Sequence, residues 1–201
     1  MADKAHLVEQ TNLAFDFIQK LYLEVSYLIK EIEGILLEEE EKFIIGRPSG
    51  YAVSARFSTG LESNNVSLWL LRQFAVFFIP DNKTKITGGV TQTNIDKKLR
   101  VLYIRIVLND KNVLSPTIYS GVLHDIEIKP SGERYIKKFE HIMQHIGYNK
   151  DKIFKDGRKI NHEDAFVKIK GEFISNKLFE INDSDTIMKK IIKPSLDLYR
   201  K

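Results

Sequence analysis

The chain has 201 residues, of which 43% are hydrophobic and 29% are charged. This balance is typical of a globular protein and excludes the compositions of disordered and membrane-embedded chains. The sequence contains no cysteine, which excludes disulfides, thiolate metal sites and cysteine nucleophiles.

The formal net charge of +4 is unevenly distributed along the chain. Residues 1–43 carry four Lys and ten Asp or Glu, whereas residues 129–170 carry eleven Lys or Arg and six Asp or Glu. This asymmetry favours either an acidic helix that meets a basic body or a basic surface for nucleic acid. Tyr103 and Arg105 also share one face of a predicted strand, as in some single-strand binders. Nucleic-acid binding through the basic C-terminal half is therefore one hypothesis.

Two segments bear on location. The start, MADKAHLVEQTNLAF, lacks the basic and apolar regions of a signal peptide, so we expect a cytoplasmic protein. The most apolar run, Val66 to Ile79, is interrupted by Arg72 and Gln73. It is shorter than the roughly 20 residues that a membrane span needs, so we expect no membrane partner and assign the run to the protein core.

Residues 1–45 predict one long helix, because they contain no Pro and only one Gly, Gly34. Its apolar residues alternate by three and four, as in a heptad pattern. One row comprises Leu7, Ala14, Leu21, Leu28 and Ile35; a second comprises Ile18, Val25 and Ile32; and Phe15, Tyr22, Ile29 and Leu36 widen the stripe. Such a broad stripe favours packing on a sheet or on a partner, and a helix of about 60 Å is long for this chain. We therefore predict a homo-oligomer, most simply a dimer.

Residues 50–129 predict the main sheet, after the breaker cluster GRPSG. The segments YAVSARF, FAVFFI, RVLYIRIVL and TIYSGVLHDIEI have strand character, and NDKN supplies a turn between the last two. The polar segment Asp81–Lys98 fits either a mobile loop or a hairpin, and the hairpin is the preferred interpretation.

The remaining segments complete the fold. We predict a middle helix over 133–146, a short hairpin over 165–181 and a C-terminal helix over 184–200, capped by Asp183 or Ser184 and kinked by Pro194. Strands follow strands without intervening helices, which indicates an α+β protein with a mostly antiparallel sheet. The prediction is a single domain whose long N-terminal helix packs on that sheet.

The five histidines are His6, His124, His141, His145 and His162. His141 and His145 have the i, i+4 spacing of helical zinc ligands, but they fall on the polar side of the predicted helix and belong to no HExxH motif. We therefore predict an exposed, unliganded pair and no metal site. His124 shares its predicted strand face with Ile118, Val122 and Ile126, which favours a hydrogen-bonded core histidine or, less directly, a general base.

One constellation resembles a catalytic site. Glu127 and Lys129 form an ExK triplet on a strand, and Asp110 lies in the preceding turn; in Mg²⁺-dependent nucleases two carboxylates hold the metal and a lysine assists. Four such acid-x-Lys triplets occur in the chain, close to the chance expectation for its composition. A nuclease using Asp110, Glu127 and Lys129, with Mg²⁺, is therefore only an alternative hypothesis.

No pattern in the sequence assigns catalytic residues or a resident cofactor. The leading hypothesis is a non-catalytic interaction or regulatory module that acts as a homodimer. The nuclease and the nucleic-acid-binding protein are the two alternatives.

Overall fold

The computed structural model describes residues 4–46, 72–87, 90–93, 98–109, 113–136, 139–148, 153 and 158–201. The chain divides into two compact units, Met1–Glu40 and Glu41–Lys201. The predicted strand YAVSARF, the first part of the apolar run up to Leu71, and Asp110 lie outside the described residues.

The first unit consists of helix α1, Lys4–Glu38. It confirms the long N-terminal helix, which ends seven residues earlier than the predicted boundary at residue 45. The acidic run Glu38–Glu41 lies where the helix dipole disfavours anions, and this accounts for an end at Glu38. Several large apolar side chains of α1 are exposed to solvent: Leu7, Val8, Leu13, Phe15, Phe17, Leu23, Tyr27 and Leu37. The packing of α1 on the sheet stays a prediction.

The second unit is built on an antiparallel sheet, which confirms the α+β class. Among the described residues this sheet has six strands: β1 Phe43–Gly46, β2 Gln73–Pro80, β5 Val101–Val107, β6 Thr117–Ile128, β7 Lys159–Glu163 and β8 Val167–Lys177. Their order across the sheet is β1-β2-β5-β6-β8-β7. A separate two-stranded hairpin, β3 Thr84–Thr87 and β4 Val90–Thr93, occupies part of the segment 81–98 and agrees with the preferred hairpin interpretation.

One face of the sheet carries the main hydrophobic core. Helix α2, Phe139–Tyr148, covers this face with one apolar side, and its polar residues His141, Gln144 and His145 are partly buried. The helix contributes Phe139, Ile142, Met143 and Ile146, and the strands contribute residues such as Phe77, Val101, Tyr103, Leu123, Ile169 and Phe173. The phenyl rings of Phe77 and Phe139 meet edge to face, with centroids 5.0 Å apart. The predicted helix over 133–146 thus begins later, and residues 130–135 form a turn.

The C-terminal helical segment contacts β5, β6 and β8. It comprises α3, Ser184–Ile187, a π-helical turn, Met188–Ile192, and α4, Lys193–Arg200. Asp183 confirms the predicted cap, since its carboxylate accepts the Thr186 N–H at 2.7 Å and Thr186 Oγ1 accepts the Asp183 N–H. We predicted a kink at Pro194; the structure has a π-helical turn, Met188–Ile192, just before this proline.

The predicted hairpin over 165–181 is wrong. Residues Val167–Lys177 form one continuous strand, β8, and its partner on the outer side is β7, Lys159–Glu163. Gly171 lies in the middle of β8. An added Cβ there would come within 2.8 Å of the Val122 carbonyl oxygen, so glycine serves the close approach of β6 and β8.

A β-bulge in β6 changes which residues share a face. The register to β8 shifts between His124 and Glu127, and Asp125 has a φ of 50°. The extra residue returns Ile126 to the core face of Leu123. The prediction that His124 shares a face with Ile126 is therefore wrong; His124 is partly buried, and its Nδ1 lies 3.6 Å from Asp125 Oδ2.

No helix within the described residues has the length and hydropathy needed to cross a membrane.

Candidate metal centre

A cluster of two histidines and one aspartate lies where β7, α2 and the turn into β8 meet. Strand alternation places Ile160 and His162 on the same inward face of β7, and Asp164 follows directly after the strand. His145 projects from the last turns of α2, whose apolar residues pack on the sheet. The packing of α2 thus brings His145 to the end of β7.

The three side chains converge on one carboxylate oxygen. Asp164 Oδ2 lies 2.6 Å from His145 Nε2 and 3.0 Å from His162 Nε2. One ligand atom from each residue lies within 4.8 Å of the other two, as a shared cation requires. The side chains are 20%, 12% and 27% exposed for His145, His162 and Asp164, so the cluster is partly shielded and still open on one side.

The other oxygen of Asp164 is fixed by the backbone. Asp164 Oδ1 accepts hydrogen bonds from the N–H groups of Phe166 at 2.8 Å and Val167 at 2.9 Å. Partial burial raises the pKa of Asp164, but these backbone N–H groups and the two histidines outweigh it and hold the pKa well below its usual range. Asp164 is therefore a carboxylate at neutral pH, with Oδ2 aimed at both imidazoles.

The turn that holds Asp164 packs against a second turn, at residues 129–132. The Lys129 N–H donates to the Phe166 carbonyl at 2.9 Å, and the Ser131 hydroxyl donates to the Ala165 carbonyl. Gly132 packs so closely on this turn that an added Cβ would overlap the Phe166 carbonyl oxygen. The position of the carboxylate thus depends on a tight backbone contact between two turns.

A cavity of about 400 Å³ opens beside the cluster, lined by Tyr135, Ile136, His141, Gln144, His145 and Phe166. His145 belongs to both the cavity and the cluster. The phenyl ring of Phe166 lies between the rings of Tyr135 and His145, with centroids 5.8 Å from each. The three rings form one continuous aromatic wall.

Two imidazoles and one carboxylate are suitable ligands for a first-row transition metal such as Zn²⁺. Tetrahedral zinc with bonds of about 2.0–2.1 Å would hold its ligand atoms about 3.3 Å apart. The distances of 2.6 and 3.0 Å from Asp164 Oδ2 to the two Nε2 atoms would therefore widen by about 0.7 and 0.3 Å on binding. Three protein ligands would leave a tetrahedral ion with one open position, the arrangement of catalytic zinc sites.

The predictions for the histidines need two corrections. The expected exposure of the pair is wrong, because both His141 and His145 are partly buried and His145 Nε2 lies 2.6 Å from Asp164 Oδ2. That the pair binds no metal stays a prediction. The pairing of His162 with Asp164 was not recognised from the sequence. The two residues are separated by one position at the end of a strand, and this i, i+2 spacing places both side chains on the same side of the chain.

The structure describes two of the three residues of the nuclease hypothesis, Glu127 and Lys129. Lys129 Nζ donates to Glu163 Oε1 at 2.6 Å, and Glu163 also pairs with Lys168 at 3.2 Å. Glu127 is exposed and lies opposite Lys168 in the ladder. Since Asp110 lies outside the described residues, the convergence of the three groups is untested and the nuclease stays a prediction.

The proposed aromatic and basic strand face is wrong. Tyr103 is fully buried against Phe173, and Arg105 is 6% exposed. The Arg105 guanidinium donates to Gln73 Oε1 from Nε at 3.1 Å and from Nη2 at 2.9 Å. In the basic stretch 129–170, Lys129 and Lys168 pair with Glu163, and Lys170 pairs with Asp125 at 3.0 Å. Nucleic-acid binding stays a prediction.

Comparison of the chain with protein-family models, with curated proteins and with solved structures finds no match.

Proposed function

We propose that this protein binds one divalent transition-metal ion through His145, His162 and Asp164, and presents it to the adjoining cavity. The observation that carries the proposal is the convergence of both Nε2 atoms on Asp164 Oδ2. These residues come from a helix, a strand and a turn, so packing of the fold, rather than local chain geometry, brings them together.

The surroundings support a bound cation in two ways. Asp164 is oriented by two backbone N–H groups, the kind of outer contact that fixes a ligand carboxylate and raises metal affinity. Lys129 and Lys168, which flank the turn, are both paired with Glu163, and this offsets their repulsion of a metal ion. One carboxylate and two neutral imidazoles leave a divalent ion with a net charge of +1, which favours an anionic ligand from solution.

The test is titration of the full chain with Zn²⁺ by calorimetry and with Co²⁺ by visible absorption. We expect one ion per chain and a Co²⁺ spectrum of low coordination number. His145→Ala, His162→Ala and Asp164→Asn should each weaken binding at least as much as the roughly 10–100-fold loss seen when an outer-sphere partner is removed. Asp164→Asn retains Oδ1 as an acceptor for the backbone, so its loss of affinity would not reflect loss of the turn.

The matched control is His141→Ala, which removes a histidine from the same helix and cavity but not from the cluster. It should leave metal affinity within about twofold of the unmodified chain. A folded protein that takes up no Zn²⁺ or Co²⁺ at micromolar concentration would show instead that the cluster is a structural hydrogen-bond network.

A second function rests on a different observation, the exposed apolar side chains of α1. Leu7 and Phe15 belong to the predicted heptad stripe and are 50% and 58% exposed. Val25, Ile29, Ile32 and Leu36 of the same stripe are buried, so the part open to a partner is its N-terminal half. A second copy of the chain is the natural partner for this half, because a twofold axis brings the same surface of two helices together. We infer that the protein is a homodimer through α1, which keeps the interaction module as a candidate function.

Sedimentation equilibrium at micromolar concentration tests the dimer. The mass should be twice that of the chain, and the double variant Leu7→Glu and Phe15→Glu should be monomeric because it charges the stripe. Leu114→Glu, at a fully exposed leucine of the second unit, is the control and should stay dimeric. A monomeric unmodified chain would refute the dimer and leave the metal proposal untouched.

The cytoplasmic location stays a prediction.

A further inference from the structure

The cavity beside the metal centre has the characteristics of a ligand site for a small aromatic molecule. Its volume of about 400 Å³ falls near the lower end of the range for small-molecule pockets. The aromatic wall of Tyr135, Phe166 and His145 runs from the surface to a ligand of the proposed metal. Of the three proposed ligands, His145 lines the cavity, so a molecule that follows this wall would approach the ion from the side of His145.

The exposure of the wall supports a binding role. Tyr135 is 63% exposed and Phe166 is 36% exposed, although both pack edge to face with an aromatic neighbour. Aromatic rings left at a cavity mouth offer large apolar contact area and favour the edges or faces of another ring. The backbone N–H of Phe166 donates to Asp164 Oδ1, so the residue that carries this ring is tied to the metal centre.

The proposed metal ion at the end of the aromatic wall favours an anionic ligand. A divalent ion on two imidazoles and one carboxylate keeps a net positive charge and an open position. Carboxylate oxygen is a good ligand for such an ion. We propose that the cavity binds a small aromatic carboxylate, with its carboxylate on the metal and its ring against Tyr135 and Phe166; this proposal rests on the proposed metal-binding function.

The polar side of the cavity is formed by His141 and Gln144, one turn apart on α2. Both side chains can donate and accept hydrogen bonds, so they suit a ring substituent such as a hydroxyl or amino group. The class of ligand is therefore a benzoate that carries a polar substituent, rather than a purely hydrophobic acid.

The experiment uses the full chain loaded with Co²⁺, so that metal occupancy is measured before any ligand is added. Benzoate, 4-hydroxybenzoate, cyclohexanecarboxylate and acetate are then titrated while the Co²⁺ absorption bands are followed. We expect benzoate to perturb the bands with an affinity about tenfold above that of acetate, the value of one good aromatic contact. We expect 4-hydroxybenzoate to bind at least as tightly as benzoate.

Variants separate the wall from the metal. Tyr135→Ala and Phe166→Ala should each weaken benzoate about three- to tenfold while Co²⁺ affinity is retained. Phe179→Ala removes another exposed aromatic side chain, one that does not line the cavity, and should bind benzoate normally. Equal affinities for benzoate, cyclohexanecarboxylate and acetate would overturn the ligand proposal with the metal site intact. A chain that binds no Co²⁺ would instead refute the metal proposal on which this one rests.

Discussion

Asn176 donates a hydrogen bond from its side-chain amide to the carbonyl oxygen of Lys190, at 2.9 Å. In a regular α-helix that carbonyl would accept the N–H of residue 194, which is a proline and has none. Asn176 of β8 thus supplies the donor that Pro194 lacks. The contact links the sheet to the π-helical turn that precedes α4.

Removal of this donor should destabilise the protein. Asn176→Ala leaves a partly buried carbonyl without its partner, and we expect a loss of about 1–2 kcal/mol in the free energy of unfolding. In a Pro194→Ala background the helix recovers its own N–H, so the same substitution should cost about 0.5 kcal/mol or less. Urea unfolding of the four proteins of this cycle measures both values.

Asn161→Ala, at an exposed position of β7, is the control for a general effect of losing asparagine from the sheet. It should change stability by less than about 0.5 kcal/mol. A cost of Asn176→Ala that is the same with and without Pro194 would contradict the assignment of Asn176 as the replacement donor.

Gly132 and Gly34 should respond in opposite directions to the same substitution. Gly132→Ala forces a Cβ onto the Phe166 carbonyl oxygen. Because the backbone of residue 132 fixes the position of the Cβ and the oxygen belongs to the backbone of Phe166, the two turns must separate. We expect a loss of about 1–3 kcal/mol, together with weaker Zn²⁺ binding, since this contact positions Asp164. Thermal unfolding and zinc calorimetry provide the two measurements.

Gly34→Ala is the matched comparison. Apart from its chain neighbours and the nearby backbone of its own helix, no atom of the described residues lies within 4 Å of the added Cβ. The residue is inside a helix, where alanine is favoured over glycine by about 0.5–1 kcal/mol. We therefore expect a small stabilisation. A neutral Gly132→Ala with normal zinc affinity would show that the two turns are not held by close contact.

The cap of α3 should make stability depend on pH. The Thr186 N–H, followed by the Thr186 hydroxyl, lowers the pKa of Asp183 below its ordinary value. A lowered pKa means that the contribution is complete above the unfolded-state pKa of about 3.9 and is lost as the pH falls through the folded-state value.

The melting temperature of the unmodified chain should therefore exceed that of Asp183→Ala most at neutral pH, and the difference should shrink in acid. Asp183→Asn keeps an acceptor for the Thr186 N–H but does not titrate near this pH. Its advantage over Asp183→Ala should be independent of pH. A difference between the unmodified chain and Asp183→Ala that is constant from neutral pH to about pH 3 would count against the cap as its source.

Strong local patterns led to correct predictions. The heptad stripe of α1, the apolar runs of β5 and β6 and the capping aspartate before α3 are each encoded by residues close together in the chain. Such patterns can be recognised without knowledge of any partner.

Strand β7 and the true extent of β8 were missed for a physical reason. β7, Lys159–Glu163, is the last strand at one edge of the sheet, and Ile160 is its only apolar residue, so its sequence shows no hydrophobic alternation. Gly171 has the appearance of a turn residue, but the close approach of β6 requires it inside a strand. Both features depend on a neighbouring strand.

The sequence by itself determined the class of fold: a long helix, an antiparallel sheet and two further helical segments, because hydrophobic periodicity is a local property. Only the tertiary structure decided the candidate metal centre. His145 on α2 and His162 and Asp164 at the end of β7 meet because α2 packs its apolar side on the sheet. Their distances follow from that packing and from the turns at Gly132 and Asp164, which no periodicity in the chain encodes.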